Sequence, residues 1–431
     1  MSRGTVHDNS RTGFQNRTGL MPGSTDREPI CDLCRHQTRL SCQPTPDPLV
    51  MPYVRSLTDV LSGYLDWHLS RLKLMARFTS SVLTLTTTNL WKISLALKAD
   101  VEQDSNYRRI QRFLSGYEVD FRALGGLLLH LLPQRPPYEV VIDRTEWHFG
   151  ETAVNLLMVG IAHKGMAFPI AWTVLPSGGS SDFQSQAKVL ERFLEVVDPD
   201  SIKVVTADRE FISVPWMERL EDRGIPFAIR LRSDRRIGRA PDGPSLPARM
   251  HARTVDLGSE RTLEGTRYLS GAQEDGAEEV LVPVRVAIRR IGDEDSDDPF
   301  LILATSNVDP AEATELYEQR WDIETLFAAL KSRGFDLEET RVTEPGKVEN
   351  LVGLLALAFG WTRLVGEERA AREGPPTTKS HGRKERSLFR YGLDRLQNIF
   401  STPEPQVQAF LRCLSVLRSP SAFVAGSVSG R

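Results

Sequence analysis

The chain has 431 residues, of which 40% are apolar and 26% charged, which allows roughly two to four domains with substantial cores and excludes a low-complexity or fibrous protein. The formal net charge of −3 announces no polyanionic partner, but it is unevenly spread. Trp361–Arg431 carries twelve Lys and Arg against six Asp and Glu, and Met51–Gly125 carries ten against seven, so both flanks have the local sign that a phosphate backbone attracts.

No apolar run reaches the roughly 18–20 residues expected of a bilayer span, and the N-terminus lacks the apolar core of a secretory signal. With four cysteines, the expectation is a reducing, cytosolic compartment and no membrane partner. Residues 1–50 are rich in Arg, Asp, Thr, Pro and Gly without apolar periodicity and read as a disordered tail. Cys31, Cys34, His36 and Cys42 lie there. CDLC is half of a zinc-ribbon spacing; without a second pair, free thiols are the better reading. Met51 is a second candidate start.

Residues 51–135 are expected to form a helical DNA-binding domain. NYRRIQRFL sets Arg108, Arg109 and Arg112 on a helix face, with Ile110, Phe113 and Leu114 as core positions. A plain helical bundle with ordinary surface arginines is the alternative. Pro133, Pro136 and Pro137 then mark a boundary.

The middle opens on a short β-branched strand, Glu139–Ile142, which Asp143 is expected to terminate. Two longer strands follow around a hairpin at His163-Lys164-Gly165, and then a helix opened by Ser181. SIKVVTADREF repeats the first pattern, a buried strand ending at Asp208. A helix closing at Gly224 and a strand, PFAIRLR, complete the order β-β-β-α-β-α-β, that of ribonuclease-H-like domains. Residues 233–299 interrupt it as a β-rich insertion with acidic loops, EDGAEE and GDEDSDD, before the strand FLILATSN.

A helix is then predicted from the Asp309-Pro310-Ala311-Glu312 capping pattern to Gly334, where a left-handed cap would sit. At 100° per residue, Tyr317, Arg320, Glu324 and Lys331 fall on one stripe about 60° wide, beside an apolar stripe of Leu316, Ile323, Phe327 and Leu330. Asp322 lies roughly 200° from Glu324 and reads as a surface acid. VENLVGLLALAFGWTRLVG is an apolar helix expected to pack on the sheet, and residues 371–431 are a basic linker and a final helical segment.

Two buried strands that each deliver an Asp, plus a Glu on a later helix, make three carboxylates whose like charges raise one another's pKa unless a cation offsets them. Hard oxygen ligands suit Mg²⁺, or Mn²⁺ in its place, and two such ions would clamp the attacking and leaving oxygens of a phosphoryl transfer. No His-rich or Cys-rich ligand set and no GxxxxGK[ST] loop occurs in this region, which argues against a zinc hydrolase and a P-loop nucleotide hydrolase.

Tyr317-x₂-Arg320-x₃-Glu324-x₆-Lys331 resembles the Y-R-E-K signature of DDE transposases of bacterial insertion sequences, the insertion-sequence-four type. IDRTEW and ADREF resemble that family's two aspartate blocks, and the likeness extends over about residues 55–400. The resemblance implies an α/β, ribonuclease-H-like catalytic domain (136–370) with a β-rich insertion and helical flanks. It implies Asp143, Asp208 and Glu324 as the catalytic, metal-binding residues, and Tyr317, Arg320 and Lys331 as holders of phosphate at the element's end. Trp147, just past the first Asp, reads equally as a base-stacking platform or a core residue. The implied partners are terminal inverted repeats, target DNA and a second copy of the chain in a synaptic homodimer, in the bacterial cytoplasm at the nucleoid. An inactive, sequence-specific DNA-binding descendant and a ribonuclease-H-like nuclease are the alternatives.

Overall fold

The computed structural model describes residues 51–97, 101–116, 119–176, 178–271, 280–293, 296, 298–380, 384–402 and 406–420. The tail with Cys31, Cys34, His36 and Cys42, all of the EDGAEE loop, residues 294, 295 and 297 of the GDEDSDD loop, and residues 381–383 of the basic linker lie outside them.

Among the described residues five helices come first: α1 (Met51–Leu61), α2 (Leu69–Leu85), α3 (Leu90–Ala96), α4 (Gln103–Gly116) and α5 (Phe121–Leu131). The sheet then begins with β1 (Tyr138–Phe149), β2 (Thr152–His163) and β3 (Met166–Val174), followed by α6 (Phe183–Leu194), β4 (Ile202–Ala207), α7 (Val214–Glu221) and β5 (Phe227–Arg230). The hairpin turn at Lys164-Gly165 has positive φ at both residues, the geometry that matches strand twist in a two-residue loop. The helix expected to open at Ser181 is instead capped by Asp182, which accepts from the Ser185 N–H, while Ser181 turns its hydroxyl to Glu210.

Residues 233–299 contribute β6 (Arg236–Gly238), β7 (Ser245–Pro247), α8 (Ala248–Ala252), β8 (Glu260–Gly271) and β9 (Val280–Arg290), and β10 (Phe300–Ser306) follows. These strands do not stand apart. They extend one ten-stranded sheet of order β3-β2-β1-β4-β5-β10-β9-β8-β6-β7. Within it β1, β4 and β5 are parallel neighbours and the remaining pairs antiparallel. This mixed α/β arrangement fits a ribonuclease-H-like core.

The chain continues through α9 (Pro310–Glu318), α10 (Trp321–Leu330), α11 (Pro345–Glu373), α12 (Leu388–Ser401) and α13 (Val407–Arg418). By length and composition α11 could cross a bilayer, which corrects the expectation that no apolar run is long enough, yet its apolar window is wholly buried in the protein. It is the central core helix, packed against β3, α2, α4, α5, α12 and α13, so the helices from both flanks share one core with the sheet. Gly366 and Gly392 let α11 and α12 touch backbone to backbone: a Cβ on Gly392 would fall 2.0 Å from the Thr362 carbonyl oxygen.

Candidate active site

The two aspartates are brought together by strand register. β1 and β4 run parallel with Val140 opposite Val205, Val141 opposite Thr206 and Ile142 opposite Ala207, so Asp143 and Asp208 are the next residues on adjacent strands. There β4 ends and the chain turns into a short 3₁₀ helix, Arg209–Phe211, while β1 continues to Phe149 paired with β2. Asp143 therefore does not terminate its strand, as expected from the sequence. It sits mid-strand, where the parallel partner leaves and a crevice opens at the carboxyl ends, the usual place for function in such sheets.

The predicted single helix is two. Its ladder breaks at Gln319 and Arg320, where Arg320 N–H reaches the Tyr317 carbonyl at 3.0 Å and Asp322 N–H the Gln319 carbonyl at 3.0 Å. Each half serves a different core. Ala313, Leu316 and Tyr317 of α9 pack with Val204, Ala228 and Leu303 of the sheet's middle, whereas Ile323, Leu326, Phe327 and Leu330 of α10 join the main core. Gly334 is not in the left-handed region; it is needed because a Cβ would fall 2.0 Å from the Ala329 carbonyl oxygen, and Asp336 takes the positive φ. Asp322 is a half-buried anchor rather than a surface acid, taking backbone hydrogen bonds from His163 and Gly165 at the hairpin.

The break leaves Tyr317, Arg320 and Glu324 facing the two aspartates. The Arg320 side chain, 6% exposed, donates from Nη1 to Asp143 Oδ2 at 3.0 Å and from Nη2 to Glu324 Oε1 at 2.7 Å. Tyr317 donates its hydroxyl to Asp208 Oδ1 at 3.3 Å, and the Arg144 N–H caps Asp143 Oδ1 at 2.8 Å. Burial pushes the Asp143 carboxyl up to about 6; the Arg144 N–H and Arg320 pull it down, while Glu210 and Asp208 push it further up. Burial likewise raises the Tyr317 phenol, which stays a hydrogen-bond donor.

Lys331, the residue that ends α10, makes a different contact. Its ammonium donates to the Glu146 carbonyl at 2.9 Å, pairs with Glu338 at 2.9 Å and lies 5.8 Å from the centre of the Trp147 ring. Trp147 is 4% exposed and packs as a core residue, without the free face that base stacking needs. Trp321, beside Arg320 and 59% exposed, presents such a face, and Arg320 lies 5.1 Å from its ring centre. Sequence reading passed over it, although its place next to Arg320 in the signature was the available signal. It also gave no role to Glu210, two residues past Asp208, which pairs with Arg144 at 2.8 Å and so ties β1 to the turn after β4.

Arg108, Arg109 and Arg112 lie elsewhere, on the outer side of α4, whose Ile110, Phe113 and Leu114 are buried. They line an open groove of about 1330 Å³ together with Lys92, Arg341 and Lys347. Lys92 and Lys347 are paired with Glu339 and Glu344.

The fold and site define a mixed α/β protein with two neighbouring aspartates where parallel strands part and a glutamate joined to one of them through Arg320. Residues 134–361 match the transposase DDE domain, and the chain belongs to that family. All three candidate carboxylates lie inside the matched span. Among solved structures, the chain is similar to that titled "Cryo-EM structure of piggyBac transposase synaptic complex with hairpin DNA", at 11% identity and a TM-score of 0.36, covering 89% of this chain and 86% of that one. No curated protein matches.

Transposases of this family generally use divalent metal ions. The donor chemistry here fits one, since three carboxylates face a common crevice and Asp143 is already strained toward protonation. The spacing does not. Among the described residues no three Asp, Glu, His or Cys side chains are gathered closely enough to hold an ion, and the cation between Asp143 and Glu324 is Arg320 itself.

Proposed function

We propose that this chain is a transposase of the insertion-sequence-four type, which cleaves DNA at its element's terminal inverted repeats and joins the freed 3′-hydroxyls to target DNA. The observation that carries this reading is the convergence of Asp143, Asp208 and Glu324 with Tyr317 and Arg320 at the parting of β1 and β4. Asp143, Asp208 and Glu324 are the catalytic carboxylates, and Mg²⁺ or Mn²⁺, as a pair of ions, is the charge their oxygens suit. Arg320, whose planar fork matches phosphate as well as carboxylate, and Lys331 are its phosphate-binding cations. The groove of Arg108, Arg109, Arg112 and Arg341 supports contact with a DNA backbone, because these arginines have no carboxylate partner among the described residues. The working form is a synaptic homodimer acting at the nucleoid in the bacterial cytoplasm.

The test is an excision assay with purified protein, Mg²⁺ and a plasmid carrying the gene with its own flanking DNA. Excision at the flanking repeats, followed by joining to a second plasmid, is the expected outcome. Retardation of the flanking DNA without any cleavage would favour an inactive DNA-binding descendant. Cleavage without joining would favour a nuclease.

A further inference from the structure

We infer that Arg320 is a surrogate cation that holds the carboxylate site closed to metal until a DNA phosphate draws its guanidinium away. The inference rests on the carboxylate reading above and adds a coupling between DNA and metal to it.

Each of the three carboxylates has an oxygen engaged from the joint between α9 and α10. Arg320 takes Asp143 Oδ2 and Glu324 Oε1, and Tyr317 takes Asp208 Oδ1. Arg320 takes one oxygen of Asp143 and one of Glu324, and a divalent ion shared by the same two carboxylates would stand within a few ångströms of a guanidinium that cannot lose its charge. The two cations compete for one pair of carboxylates and repel each other, so metal binds better once Arg320 has moved.

The surroundings of Arg320 suit movement. Its Nε is buried and has no hydrogen-bond partner, so among the described residues its side-chain hydrogen bonds are the two to the carboxylates. The exposed Trp321 ring beside it offers a surface for the guanidinium on the way out. A phosphate diester offers the same two-oxygen edge as the carboxylates being released. Binding a DNA strand at the crevice would therefore exchange Arg320 from Asp143 and Glu324 to phosphate and free both oxygens at once. By linkage, DNA must tighten metal binding and metal must tighten DNA binding by one factor.

The experiment follows Mn²⁺ binding to the full chain by electron paramagnetic resonance, with and without a duplex carrying the gene's flanking sequence, and with the duplex alone subtracted. Wild type, Arg320→Gln, Arg320→Lys, Lys331→Gln and Asp143→Asn/Arg320→Gln are compared, after circular dichroism has established that each is folded. Wild type is expected to gain about tenfold or more in Mn²⁺ affinity when DNA is added, within the usual range for coupled sites. Arg320→Gln should bind Mn²⁺ tightly without DNA and lose most of that coupling. Arg320→Lys, which keeps the charge but not the fork, should fall between them.

Equal DNA-to-metal coupling in wild type and Arg320→Gln would overturn the latch while leaving the carboxylates in place. So would an equal Mn²⁺ gain in Lys331→Gln, which would mean that any nearby positive charge has the same effect. Undiminished Mn²⁺ binding by Asp143→Asn/Arg320→Gln would overturn the carboxylate reading and the latch with it, as would failure of every variant to bind stoichiometric Mn²⁺ with or without DNA.

Discussion

Arg320 and Asp143 stand 177 residues apart in sequence and meet at 3.0 Å, with the Asp143 oxygen taking one arm of a guanidinium whose other arm holds Glu324. Burial nevertheless outweighs this contact and leaves the Asp143 carboxyl at about 6, above its ordinary value of 3.8.

That imbalance sets a pH dependence. A carboxyl raised in the folded state binds its proton more tightly there than in the unfolded chain. Its favourable contribution is therefore complete below about pH 4 and lost as pH rises through about 6. In metal-free buffer at pH 7.5, Asp143→Asn should be more stable than wild type by about 1–3 kcal/mol, and the difference should vanish near pH 4. Thermal unfolding at the two pH values measures it; a variant less stable than wild type at pH 7.5 would refute the account of burial.

Residues that act as one unit are not additive. Asp143→Asn, Asp208→Asn and Glu324→Gln should each abolish plasmid cleavage about as fully as all three together. Retention of the flanking duplex in a gel-shift assay should persist in every case. Near-normal cleavage by any one of them would remove that residue from the site.

The α4 groove should behave as a phosphate surface. Arg108→Ala, Arg112→Ala and Arg341→Ala should each weaken duplex binding whatever its sequence, and lower the slope of log affinity against log salt by about one. Unchanged slopes would return these arginines to ordinary solvated positions.

The two tryptophans near the site should separate cleanly. Trp147→Ala empties a buried position and should cost about 3–5 kcal/mol of stability. Trp321→Ala removes an exposed ring, so its unfolding temperature should stay near that of wild type while binding to the DNA end weakens by about 1–3 kcal/mol. Comparable destabilisation of both would contradict their burial.

The α11–α12 contact gives a prediction remote from chemistry. Gly366→Ala places a Cβ 1.9 Å from the Leu388 carbonyl oxygen, and Gly392→Ala meets the Thr362 carbonyl at 2.0 Å. Both neighbours are backbone and cannot yield, so each change should cost several kcal/mol by forcing the helices apart. Gly346→Ala at the open start of α11 meets nothing within 4 Å and should be neutral or stabilising by up to about 1 kcal/mol. Chemical denaturation of the three variants provides the comparison.

The chain carries much of this in local pattern. β-branched runs before Asp143 and Asp208, the hairpin at Lys164-Gly165, the Asp309 cap and the helical stripe that brings Arg320 beside Glu324 are all written in neighbouring residues, because strand and helix periodicities act over a few positions. What the local pattern could not decide was decided by partners distant in sequence. Asp143 lies mid-strand because β2 continues to pair after β4 has left, and strand pairing is not a local property. The helix through Tyr317 and Lys331 keeps an unbroken apolar period, yet it divides because its halves are buried against two different cores. The same packing buried Trp147 and exposed Trp321, although both are tryptophans beside a site residue. Sequence alone determined which carboxylates and cations this protein has and which of them share a helix face. Only the tertiary structure decided that the cation joining Asp143 to Glu324 is one of the chain's own arginines, because a largely buried carboxylate with other acids nearby favours whatever positive charge the fold can bring to it.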